Sequence, residues 1–167
     1  MTVRPIRLFG DPVLKTVCDP AIPGEGGFDD GVRALVADLV DSVQLPGRAG
    51  VAANQIGATL RVFSYNVDGQ VGYLINPEVV EVRGEKEPVG EGCLSVPGLW
   101  FETARHPWAR AVGFDVDGKQ VEVQGEGVLA QALQHETDHL NGLLYLDRLE
   151  KQSRREAMKQ IRESDWF

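Results

Sequence analysis

The pentapeptide His135-Glu136-Thr137-Asp138-His139 constrains the fold more than any other stretch of this chain. Histidines at i and i+4 share one face of a helix, so both imidazoles reach a single ion if the segment is helical. The apolar spacing from Val128 to Leu140 predicts such a helix. Glu136, next to the first histidine, is then placed to meet water on the ion instead of the ion itself. Two histidines do not complete a site, so the fold has to carry a third donor to this helix from elsewhere. The plain alternative is a pair of solvated histidines beside acids.

The residues that follow narrow the search. A metzincin protease continues H-E-x-x-H-x-x-G-x-x-H; here Gly142 keeps the spacing, but Tyr145 stands where the third histidine belongs. Downstream carboxylates such as Glu156 and Glu163, or an upstream cysteine, are the candidates. Cys93 is the better one, because it lies in Glu91-Gly92-Cys93-Leu94-Ser95, where glycine and small residues allow a tight site. A lone cysteine is more often buried filler, yet a helix that lacks its third ligand changes that weighting. Cys18 and His106 are the other soft donors, and neither has ligand-like spacing. Three protein ligands with one open position is a catalytic arrangement; a structural site needs four. A third segment, Gly50-Val51-Ala52-Ala53-Asn54-Gln55, lets backbone approach a ligand and offers the Gln55 amide, although such stretches usually reflect tight packing alone.

Around these segments the pattern is α+β. Residues 1–27 are rich in Pro and Gly and read as an extended lead-in. Val32, Leu35, Val36, Leu39, Val40 and Val43 form one apolar helical face, started by Asp29 or Asp30 and stopped by Leu45-Pro46-Gly47. Strands are expected at Leu60–Val67, Val71–Ile75, Val79–Arg83, Ala111–Val116 and Val121–Val123, with turns at Asp68-Gly69 and Asp117-Gly118. A charged helix is expected from Gln152 to Ser164. The expected fold is α+β: antiparallel strands around a central metal-binding helix, with an N-terminal helix and a short C-terminal one. The 167 residues contain no repeat or dividing linker, so one catalytic domain over residues 1–167 is expected. A net charge of −8 disfavours direct nucleic-acid binding. No apolar run is long enough to span a bilayer and no signal-peptide core follows the N-terminus, so a cytoplasmic location without membrane association is expected.

Together these motifs resemble the peptide deformylase family, whose marks are G-x-G-φ-A-A-x-Q, E-G-C-φ-S and Q-H-E-x-D-H, φ being apolar. They stand here as Arg48 to Gln55, Glu91 to Ser95 and Gln134 to His139, in the same order and spacing. The likeness extends from Gly10-Asp11-Pro12-Val13-Leu14 to Leu144-Tyr145-Leu146-Asp147-Arg148. One position departs: Arg48 replaces the leading glycine of the first motif.

The resemblance implies removal of the formyl group from the N-terminal N-formylmethionine of newly made polypeptides, with release of formate. It implies one divalent ion held by Cys93, His135 and His139, Fe(II) in the cell and replaceable by Ni, Co or Zn. Such an ion acidifies water, Glu136 moves the proton, and the Leu94 N–H and Gln55 amide stabilise the oxyanion. Gly50, Val51, Trp100, Val128, Gln131 and Ala132 are implied to contact substrate, Gln131 being polar for a methionine pocket. Glu91 and Arg105 are implied to form an ion pair bracing the Cys93 loop. N-formylmethionyl nascent chains are the implied partner. A weak ribosome contact is implied for the basic tail helix. A zinc endopeptidase using a distal Glu and a non-catalytic metal-binding relative are the competing readings.

Overall fold

The computed structural model describes residues 2–167. The lead-in runs extended across the body, apart from one 3-10 turn at Pro12–Lys15. The first helix, α1, spans Asp30–Val43. Asp29 caps it, its carboxylate accepting from the Val32 N–H at 3.0 Å, which satisfies one of the free donors of the first turn. Val32, Val36, Leu39 and Val43 are buried, while Leu35 and Val40 pack half-exposed against the same cluster. At the other end the Arg48 guanidinium donates to the Ser42 carbonyl at 2.9 Å.

Seven strands follow: β1 (Gly50–Ala52), β2 (Val62–Val67), β3 (Gln70–Arg83), β4 (Glu87–Cys93), β5 (Val96–Arg105), β6 (Trp108–Phe114) and β7 (Gln120–Glu126). Five make an antiparallel sheet in the order β1-β2-β3-β6-β7, and β4-β5 form a separate hairpin. The turn between β2 and β3 is made by Asp68 and Gly69, at φ 53° and 77°, which matches the right-handed twist of the flanking strands. Where two strands are expected on either side of Pro77, β3 is continuous. Its register shifts between Ile75 and Glu78, and a proline without an N–H is tolerated at such a bulge. Asn76 at that bulge brackets the lead-in, donating to the Ala21 carbonyl and accepting from its N–H.

Alternation along the strands explains why helices cover both faces of the sheet. Val51, Val62 and Ile75 pack with α1. Their neighbours Ala52, Phe63 and Leu74 pack with Ala130, Leu133 and Leu140 of the second helix, α2, which spans Gly127–Leu140. The third helix, α3 (Lys151–Arg162), buries Ala157 and Ile161 against Val96 and Leu99 of β5 and the Leu144–Leu149 turn. The two terminal aromatics join this edge. The Trp166 indole N–H donates to the Pro97 carbonyl at 3.1 Å, and the Phe167 ring lies 5.9 Å from Phe9. Among the described residues, no helix is long and apolar enough to cross a membrane.

Candidate functional site

His135, Glu136 and His139 lie on α2, and Cys93 ends β4 across from them. The Cys93 Sγ is 3.4 Å from His139 Nε2, which is 3.1 Å from His135 Nε2. One donor atom from each residue falls within 4.8 Å of the others, a group able to hold a metal ion. Two imidazole nitrogens and a thiolate suit a borderline transition metal better than Mg or Ca. The distal carboxylates considered from sequence are elsewhere: Glu156 and Glu163 are exposed on or after α3 and take no part in this group. Tyr145, at the position of a metzincin's third histidine, is buried with its ring centroid 6.4 Å from that of His135.

Around the donors the polar groups are held in place. His135 Nδ1 lies 3.0 Å from Glu91 Oε2, which fixes the ring so that Nε2 faces His139 Nε2. Glu91 also accepts from Arg105 Nε and Nη2 at 2.9 and 2.6 Å, and from Gln131 Nε2 at 3.2 Å. Burial opposes ionisation of Glu91, but the His135 and Arg105 hydrogen bonds outweigh it and hold its pKa down at about 2. Of the two histidines, burial and the neighbouring His135 keep His139 well below the ordinary imidazole value. For His135, burial acts in the same direction, yet the hydrogen bonds to Cys93 and Glu91 prevail and raise it.

Glu136 has a different environment. Its side chain is buried, and Oε2 has no hydrogen-bond partner among the described residues. Burial dominates, with Glu91 and Asp138 adding to it and His135 and Arg105 opposing, and pushes its pKa up to about 7. A carboxyl poised there can take and return a proton near neutral pH. Gly50 lies directly against it, since a Cβ at that position would come within 2.5 Å of Glu136 Oε1. The requirement for glycine therefore comes from close packing on the carboxylate, in addition to any approach by a ligand.

Gln55 is buried on the opposite side. Its carbonyl accepts from the Ala52 N–H at 2.9 Å, and its amide nitrogen donates to Ser95 Oγ at 3.1 Å while lying 3.7 Å from Cys93 Sγ. These groups open on a cavity of about 530 Å³, lined among others by Gly50, Gln55, Leu94, Trp100, Val128, Gln131 and Ala132. Trp100 and Val128 are 74% and 55% exposed at its mouth. One expected substrate contact is corrected: the Val51 side chain is fully buried against α1 and does not line the cavity. It points to the α1 face because strand residues alternate, and Gly50 takes the α2 side.

Two supporting residues went unassigned in the sequence. Asn54 donates to the His139 carbonyl at 2.6 Å, and Asp138 accepts from both Arg105 and Arg148. Both sit inside the recognised motifs, which was the available signal. His106 and Cys18 are outside the site: His106 Nδ1 is 2.9 Å from the Gly84 carbonyl oxygen, and Cys18 is buried beneath α2.

Comparison with known proteins shows what the chain as a whole is similar to. The family model described as polypeptide deformylase matches residues 3–155. The peptide deformylase of Acidothermus cellulolyticus is 48% identical over 166 residues, covering 99% of this chain and 89% of that protein. That of Parafrankia sp. is 49% identical over 167 residues, with the same coverage. Among solved structures, a peptide deformylase from Legionella pneumophila superposes with a TM-score of 0.87 at 33% identity, covering 97% of this chain and 95% of that one.

Proposed function

This chain belongs to the peptide deformylase family, and from that premise we propose how its own residues perform the reaction. It is a metal-dependent hydrolase that removes the N-terminal formyl group from nascent polypeptides. The observation that carries our assignment is the Cys93, His135 and His139 donor group with the buried Glu136 carboxyl beside it. In this reading those three residues hold the ion, and residues 1–167 act as one catalytic unit in which α2 is the central, metal-binding helix. A divalent ion there supplies Lewis acidity.

The remaining chemistry belongs to side chains and backbone. Glu136 takes a proton from the attacking water, whose oxygen bonds to the formyl carbon. The carbon–nitrogen bond then breaks, Glu136 returns the proton to the departing amine, and formate leaves. The Gln55 amide and the Leu94 N–H donate to the oxyanion as it forms, where losing one such donor costs about 2.7–4 kcal/mol. The free edge of β1 orients the extended peptide by backbone pairing at Gly50. Val128 and Ala132 contribute the apolar wall for methionine, Trp100 covers the mouth, and the aliphatic stem of Gln131 lies between them.

The first experiment loads the purified protein with metal anaerobically and measures formate release from a formyl-Met-Ala peptide. Glu136→Gln is expected to keep the metal and lose at least about 100-fold in turnover, whereas Cys93→Ala should lose metal. Persistent turnover in Glu136→Gln would remove the assigned proton carrier. Normal metal content in Cys93→Ala would restore the distal-carboxylate alternative.

We assign Fe(II) as the cellular ion, with Ni, Co or Zn able to replace it, and the cytoplasm as the location. A weak ribosome contact is assigned to the exposed Lys151, Arg155, Lys159 and Arg162 of α3. Reversing those charges should abolish salt-sensitive co-sedimentation with ribosomes; co-sedimentation that survives would rule this face out.

A further inference from the structure

Arg48 is the one position of the first motif that departs from the family pattern, and it borders the same cavity as Gly50, Gln55 and Glu136. Among the described residues lining that cavity it is the only lysine or arginine. The two lining carboxylates, Glu91 and Glu136, are buried, and Glu91 is already paired with Arg105. Arg48 itself makes a hydrogen bond from Nη1 to the Ser42 carbonyl and has no ion-pair partner among the described residues. A guanidinium carries five N–H donors, so capping the end of α1 leaves most of them uncommitted. The chain as a whole is strongly acidic, at −8, which makes a lone cation at the cavity wall the exception.

Its place along the peptide path follows from the topology. β1 is an edge strand that pairs only with β2. Gly50 abuts Glu136, and Gln55 lies further along the chain beside Cys93. Arg48 is two residues back in the opposite direction, just before β1 begins, and Arg48, Ala49 and Gly50 all line the cavity. A peptide with its formyl carbon at Glu136 and its backbone on this edge runs its second or third residue towards Arg48.

We propose that Arg48 is a specificity-determining residue that favours formylated peptides with an acidic side chain at the second or third position and disfavours basic ones. This rests on the deformylase reading and extends it to the chemistry of the residues after methionine. A charge pair of this kind contributes equally to the bound substrate and to the transition state, so the preference should appear in KM and leave kcat little changed.

The test compares kcat/KM of the metal-loaded protein for formyl-Met-Ala-Glu and formyl-Met-Ala-Lys amides, and for the corresponding pair with the charge at position two. At about 50 mM ionic strength the acidic peptide of at least one pair should be preferred about two- to fivefold, and the ratio should fall towards one at about 1 M salt. Arg48→Gln should bring the ratio to about one, and Arg48→Lys should retain a preference, with circular-dichroism melts showing that both variants fold. If Arg48→Gln does not fold because α1 loses its cap, the wild-type ratio and its salt dependence still decide. Equal kcat/KM values in both wild-type pairs, or a ratio that survives Arg48→Gln, overturns the proposal and leaves the deformylase reading standing. Absence of formate release from every peptide overturns both.

Discussion

Arg105 and Glu91 show how much of the site is decided by single buried charges. Their side chains are 4% and 2% exposed, and Arg105 spans Glu91 and Asp138 with three of its donors. Taking such charges out of water is expensive, and it is tolerated because each Arg105 nitrogen and both Glu91 oxygens find partners. Removing Arg105 would leave Asp138 its pair with Arg148. Glu91 would keep only His135 and Gln131 and lose its counter-charge. Arg105→Ala is therefore expected to destabilise the protein by about 3–5 kcal/mol in urea unfolding. It should also weaken metal affinity by about 10- to 100-fold through the loosened His135 ring. An unchanged urea midpoint would contradict this account. The Glu91–Arg105 pair came within reach of the sequence because both residues sit at recognisable family positions. The contributions of Asp138 and Gln131 did not, since their partners lie 33 and 40 residues away and neither residue type announces a buried network.

At the scale of elements, helices were legible because their burial repeats with the helical period. The α1 face was read residue for residue, and its Asp29 cap as one of two candidates. The hairpin of β4 and β5 was not anticipated, and neither was β1. Pro88, Gly90, Gly92, Pro97 and Gly98 dilute the alternation that marks a strand, and β1 is three residues long, all buried. Tertiary pairing decides these elements, through their register with β2 and with each other. The turn after α2 shows a similar dependence on distant partners. Asp147 accepts from the Leu144 N–H and pairs with Lys15 of the lead-in and Arg154 of α3. Partial burial raises its pKa, but the hydrogen bonds from Lys15, Leu144 and Arg154 outweigh it, and the net shift is downward. A carboxylate with a depressed folded pKa stabilises the native state above the unfolded value and loses that effect as pH falls through the folded one. Asp147→Asn should thus melt lower than wild type at neutral pH, with the gap closing below the ordinary aspartate value of 3.8. A gap that stays constant down to acid unfolding would show that Asp147 acts through hydrogen-bond geometry alone.

The whole molecule is organised so that two pieces of chain, folded separately in the topology, meet at one point. Cys93 arrives on the β4-β5 hairpin, and His135 and His139 arrive on α2 between that hairpin and the five-stranded sheet. The sequence disclosed which three residues would meet; it did not disclose the hydrogen bonds that also join hairpin to helix, between His135 and Glu91, from Arg105 to Asp138 and from Gln131 to Gly90 and Glu91. An ion bound by both pieces stabilises the native state over the unfolded one, by about 4.1 kcal/mol when free metal exceeds Kd 1,000-fold. Stripping it with a chelator should lower the melting temperature and restore it on reloading. It should also raise hydrogen exchange in β4 and β5 more than in β2 and β3, whose ladder does not depend on the ion. In the proposed site the sulfur that completes the donor group is also its weak point. Cys93 is only half-buried and faces the cavity, so with a redox-active ion bound there dioxygen would find an oxidisable sulfur beside it. The iron-loaded protein should lose formate-releasing activity in air within a period over which the nickel-loaded protein keeps it. Mass spectrometry should then find the added oxygen on Cys93 and not on the enclosed Cys18. Equal lifetimes of the two forms in air would mean that the enclosure of the site, more than the choice of ion, protects the sulfur.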